Sequence, residues 1–193
     1  MIRKIVQKED EVLRQNAKEI PVREITAPKI KKILKEMSEA LKSQNDGVAI
    51  AAPQIGYPLQ IFVVSGKIFS AEFLGQGVSQ RDGARGSAAP VGADSDPARG
   101  HSVAKDLVFI NPKISKLSRE KEWLPEGCLS VRWLYGNTLR SKKATVTAYD
   151  ENGKKFTRGA SNLLAQIFQH ETDHLKGILF IDKAKNIKEE KPR

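Results

Sequence analysis

Gln169-His170-Glu171-Thr172-Asp173-His174-Leu175 is the stretch on which the reading of this 193-residue chain turns. Two histidines four residues apart fall on one face of a helix, and a glutamate directly after the first sets a base beside any metal they hold. The residues before it support the helix: Leu163, Leu164, Ile167 and Phe168 recur at three- to four-residue spacing and form one apolar stripe. Ser161 or Asn162 can cap its start, and Gly177 can stop it. Two histidines on an ordinary helix surface remain the plainer alternative.

A catalytic metal of this kind takes three protein ligands and leaves one position for water. The extended pattern HExxHxxGxxH matches as far as Gly177 and then places Phe180 where the third histidine belongs. A later glutamate has little room, since Asp182, Glu189 and Glu190 lie on a short tail. The third histidine of the chain, His101, stands alone in a polar stretch and reads as a solvated loop residue. Upstream, the only cysteine is Cys128, in Glu126-Gly127-Cys128-Leu129-Ser130, and a Cys-His-His set follows. By itself Cys128 could equally be a small buried hydrophobe.

Three ordered stretches, Gly47-Val48-Ala49-Ile50-Ala51-Ala52-Pro53-Gln54, Glu126 to Ser130 and Gln169 to Leu175, resemble the signature motifs of the peptide deformylase family. The resemblance covers most of the chain. It implies an α+β fold of antiparallel strands around a central metal-binding HExxH helix. It also implies hydrolytic removal of the N-formyl group from N-formylmethionyl nascent peptides. Cys128, His170 and His174 would hold the metal, with Fe²⁺ as the native ion and Ni²⁺, Co²⁺ or Zn²⁺ as substitutes. Glu171 would be the general base, and the Gln54 amide and Leu129 N–H the oxyanion donors. Gly47, Val48, Ala49, Glu126, Gly127 and Ile167 would line the substrate. Asp173 is the expected partner of a ligating histidine, a surface ion pair being the alternative. Ala49 departs from the pattern, which has glycine there, and alanine gives up easy access to positive φ. Out of context, Gln54 after a proline is a turn residue.

The length suits one domain with a proper core. The start, Met1-Ile2-Arg3-Lys4-Ile5-Val6, carries no long apolar run, so neither a signal peptide nor a membrane span is expected. A single cysteine makes no internal disulfide and fits a reducing, cytoplasmic compartment. The 33 Lys and Arg against 23 Asp and Glu leave a formal +10, a field that attracts polyanions; the ribosome is the obvious one for a deformylase. The basic residues are scattered without aromatic interleaving, which argues against specific DNA binding and leaves a solubilising surface as the alternative.

Ile30, Ile33, Leu34, Met37 and Leu41 predict an amphipathic helix over about 28–43. Val48 to Gln54 has small residues and no periodicity of its own, which suits a backbone segment lying against a ligand. Strands are expected at 59–64, 107–112 and 178–181, with a hairpin over 144–157 around Asp150-Glu151-Asn152-Gly153. The segment at about 65–106, rich in Gly, Ala, Ser, Asp and Pro, is expected to be a flexible surface insertion, a lid being the alternative. Gln54 before it and Cys128 after it are wanted in one site, so 1–193 reads as a single catalytic domain, expected to be monomeric. The charged tail from Lys183 is too short for the C-terminal helix with which some relatives continue. Two rival functions share these features: a small metallopeptidase, and a non-catalytic descendant that binds nascent chains or ribosomes.

Overall fold

The computed structural model describes residues 2–70 and 104–191. Among them, β2 (Ile61–Val64) is the middle of the architecture. It lies within a five-stranded antiparallel sheet with β1 (Ala49–Ala51), β3 (Leu107–Leu117), β6 (Lys143–Tyr149) and β7 (Lys155–Ser161), in the order β1-β2-β3-β6-β7. Ile61 and Val63 pack on one face with Ile33, Met37 and Leu41 of α1 (Pro28–Lys42). Phe62 and Val64 pack on the other with Ala165, Ile167 and Phe168 of α2 (Asn162–His174). A strand covered on both faces is apolar at every position rather than at alternate ones, which is why Ile-Phe-Val-Val reads as an unbroken run.

A smaller antiparallel sheet, β4-β5-β8, comprises β4 (Lys121–Gly127), β5 (Leu134–Ser141) and β8 (Lys185–Glu189). Gln169 joins it to α2, because its amide accepts from the Ser141 N–H at 2.9 Å and donates to the Ser141 carbonyl at 2.9 Å. Two helices and two sheets among the described residues make the expected α+β class, with α2 central.

Several local expectations change. The Val48 to Gln54 segment enters β1 and then a 3₁₀ turn, Ala52–Ile55. Ala49 is absent from the positive-φ residues, so alanine meets no backbone strain there. The strand expected at 178–181 is instead a 3₁₀ turn, Phe180–Asp182, because the Asp182 carboxylate accepts from the Leu179 N–H at 2.9 Å and pairs with Arg14 at 2.6 Å. The last strand comes from the charged tail, as Lys185–Glu189 on the edge of β5. Ser161 occupies the cap position of α2 without a side-chain cap bond, and Gly177 closes the helix with a φ of 70°. The hairpin runs longer than expected, to Ser161. Of the insertion expected over 65–106, its two feet are described: Ser65 starts a 3₁₀ turn, Gly66–Phe69, and Asp106 accepts from the Gly66 N–H at 3.0 Å. Residues 71–103, with His101, lie outside the described residues.

Candidate active site

The last turns of α2 place His170, Glu171 and His174 against the loop that follows β4, where Cys128 sits. Cys128 Sγ lies 3.2 Å from His174 Nε2, and His174 Nε2 lies 3.2 Å from His170 Nε2. Ligand atoms on a tetrahedral ion stand about 3.4 Å apart when metal–ligand bonds are about 2.1 Å, so this spacing fits one ion among the three. The donor chemistry fits as well, since a thiolate and two imidazoles suit a borderline divalent cation. Each is a single donor, and the ligand atoms all fall within 4.8 Å of one another.

His170 is oriented from behind. Its Nδ1 lies 2.5 Å from Glu126 Oε1, and Glu126 is in turn gripped by Arg140 through Nη2–Oε1 at 2.7 Å and Nε–Oε2 at 3.0 Å. A carboxylate on the far nitrogen of a ligating histidine fixes its tautomer and leaves Nε2 to face the metal. The carboxylate of Glu126, expected along the substrate, is therefore engaged by His170 and Arg140. Asp173, expected to orient a histidine, takes the ion-pair alternative: it binds Arg140 at 2.6 Å and Lys183 at 2.8 Å. It reaches the site through Arg140, which belongs to none of the three motifs. The signal was alternation: in β5, Thr138 and Arg140 are buried while Leu139 between them is exposed.

Burial sets the charges. It opposes ionisation of Glu126, yet the hydrogen bonds from His170 and Arg140 win and hold this carboxyl at about 2. Glu171 has no such donors, and burial pushes it up to about 7, with the nearby His170 working the other way. Its Oε2 is buried without a hydrogen-bond partner among the described residues. Burial also depresses His170, but hydrogen bonds to Cys128 and Glu126 raise it well above its ordinary value. His174 is driven well below its own by burial and then by the neighbouring His170.

Gln54 enters from the 3₁₀ turn after β1. Its Oε1 accepts from the Ala51 N–H at 2.8 Å, which turns the NH₂ end toward Cys128 Sγ at 3.5 Å and Ser130 Oγ at 3.2 Å. A backbone N–H can be satisfied only by the oxygen of the amide, so the donor end faces the site. The Leu129 carbonyl accepts from Gln7 Nε2 at 3.1 Å, which pins that peptide unit from the N-terminal segment. A cavity of about 320 Å³ opens beside these groups. Gly47, Val48 and Ala49, Gly127 and Leu129, Trp133 and Tyr135, and Ile167 and Glu171 of α2 line it. Ile167, expected along the substrate, is thus in the lining. Arg132, also in the lining, is stacked on Trp133 at 4.7 Å and bound to Asp46 at 2.5 Å.

A family model described as polypeptide deformylase matches residues 2–190. Peptide deformylase 2 of Clostridium acetobutylicum is 36% identical over 181 residues, which span 94% of this chain and 94% of that protein. The solved peptide deformylase of Thermotoga maritima superimposes with a TM-score of 0.71 at 28% identity, over 96% of this chain and 99% of that one. A peptide deformylase from Synechococcus elongatus, solved in complex with actinonin, gives 0.69 at 29% identity, over 95% of this chain and 79% of that one.

Proposed function

The chain belongs to the polypeptide deformylase family, and on that premise we propose which of its residues perform the reaction. The activity is metal-dependent hydrolysis that removes the N-formyl group from the formyl-methionine of nascent polypeptides. The single observation that carries the assignment of roles is convergence: Gln54 and His174 both reach Cys128, His174 meets His170, and Cys128, His170 and Glu171 line one cavity, although these residues come from three separate stretches.

Cys128, His170 and His174 hold the metal. When bound there, a divalent ion lowers the pKa of water toward neutrality and polarises the formyl oxygen. Glu171 takes the proton of the attacking water and returns it to the departing amine of methionine. As oxygen adds to the formyl carbon, the Gln54 NH₂ and the Leu129 N–H donate to the developing oxyanion. Gly47, Val48 and Ala49 lead into β1, an edge strand among the described residues, where an extended peptide finds backbone donors and acceptors. Gly127 leaves room in the cavity lining. A Cβ there would stand 2.8 Å from the Tyr135 ring.

The native ion is Fe²⁺, with Ni²⁺, Co²⁺ or Zn²⁺ able to take its place; the mixed sulfur and imidazole donors support this range. The substrates are met at the ribosome, in the cytoplasm, by a monomer. The formal +10 supports the first of these, and no helix among the described residues is long and apolar enough to cross a membrane. Gln54 before residues 71–103 and Cys128 after them share one site, which supports a single catalytic domain over 1–193. Formate release from a formyl-methionyl peptide, by protein loaded anaerobically with Fe²⁺ and by the metal-free form, tests the reaction. Release that did not depend on metal would defeat the assigned ligand set. Salt-sensitive co-sedimentation with ribosomes tests the partner.

A further inference from the structure

The β4-β5-β8 sheet turns one face to the metal site and leaves the other open. Glu126, Thr138 and Arg140 are buried on the inner side, whereas Trp123 is 45% exposed and its cross-strand partner Leu139 is 44% exposed. Tyr135, at 37%, lies on the same face toward the β8 edge. These three are among the eight large apolar side chains most exposed among the described residues. Concentration of that kind on one small sheet marks a contact surface rather than scattered surface leucines.

Two observations say what covers it. The first is continuity. A second cavity of about 540 Å³, lined by Asn137, Ile187 and Lys188, shares Pro125 and Tyr135 with the active-site cavity. A chain leaving the site across these two residues therefore arrives on this face. The second is charge. Lys185 Nζ lies 4.8 Å above the Trp123 ring, and Lys188 stands opposite Tyr135 in register, while Glu190 is the one acid lining the second cavity.

We propose that the outer face of β4-β5-β8 receives the distal part of the formylated polypeptide, well beyond its methionine, and favours apolar side chains accompanied by acidic ones. The inference rests on the deformylase reading and names a substrate preference of that same site. Apolar residues of the substrate pack on Trp123 and Leu139, and a carboxylate approaches Lys185 and Lys188. Trp123 precedes Cys128 along an extended strand, so the span is about 16 Å, and a substrate needs about five residues beyond the methionine to reach it. Short formyl-methionyl peptides do not touch the face.

The test compares steady-state kinetics on a formyl-methionyl tripeptide with those on a formylated peptide of about nine residues carrying Phe and Asp in its distal third. The native protein is expected to favour the long peptide by about tenfold in kcat/KM, through KM rather than kcat. Trp123→Ala and, independently, Lys185→Glu remove that advantage and leave tripeptide turnover unchanged. Equal kcat/KM for both peptides in the native protein, or an advantage retained by both variants, overturns the proposal. Self-association that Trp123→Ala abolishes assigns the face to a second copy and overturns it too. Failure to turn over the tripeptide at all strikes the deformylase reading instead, so the two failures are distinguishable.

Discussion

Glu126 and Glu171 are carboxyl groups at one site whose surroundings push them in opposite directions: two donors hold Glu126 at about 2, and burial takes Glu171 to about 7. A carboxyl raised toward neutrality can both take and return a proton, and one held ionised can only orient its partners. Glu171→Ala is expected to keep its metal by elemental analysis and to lose about 10²- to 10⁴-fold in turnover. Near-normal turnover would remove Glu171 as the base. Cys128→Ser should weaken metal retention and turnover together. The folded-state value of Glu126 lies below its ordinary 4.5, so its contribution to stability is present above that pH and lost as pH falls toward about 2. The loss is of order 3 kcal/mol. Acid unfolding of Glu126→Gln should therefore show a flatter dependence between those values than the native protein, and parallel curves would refute the assignment. Residue types at fixed spacing made Cys128, His170 and His174 legible as a candidate ligand set, and the structure brings their donor atoms within 4.8 Å of one another. Which acid stands behind which histidine was not legible: Glu126 is 44 residues before His170, while Asp173 is near in sequence and points to Arg140.

At the scale of elements, α2 carries the site only because both ends of its catalytic half are fixed. Gln169 ties it to Ser141, and Gly177 turns the chain at a φ of 70° where a Cβ would stand 2.6 Å from the Arg14 carbonyl oxygen. Gly177→Ala is expected to cost about 1–3 kcal/mol from strain and the clash, and to lower Tm by roughly 2–12 °C. An unchanged Tm would mean that the Arg14 segment yields freely. The helices were readable because one buried stripe recurs at their own period, as in Ile30, Ile33, Leu34, Met37 and Leu41. β8 was not, since Lys-Asn-Ile-Lys-Glu is exposed throughout and shows no alternation of buried and exposed positions. Leu179 and Phe180 misled in the opposite sense. Both are buried, but in a turn closed by Asp182.

At the scale of the whole molecule, the aromatic cluster joins the five-stranded sheet to the metal helix. Phe109 stacks on Phe62 at 4.5 Å and meets Phe168 of α2 edge-on at 5.1 Å. Phe109→Ala should destabilise the fold by about 3–5 kcal/mol and loosen the seat of α2, so that activity falls at temperatures where the secondary structure persists by circular dichroism. Metal removal acts on the same scale, because an ion that binds only the folded chain stabilises it by about 2.7 kcal/mol at one hundred times its dissociation constant. Chelation should lower Tm and abolish formate release together, and restored metal should recover both. Sequence alone determined the reaction chemistry, the α+β class and the two amphipathic helices, since donor types, motif order and hydrophobic period are local properties of the chain. Tertiary structure alone decided that Arg140 and Glu126 hold His170, that Gln54 presents its donor end, and that an apolar sheet face adjoins the groove. Those facts depend on contacts between residues far apart in sequence, and a contact of that kind leaves no spacing to read.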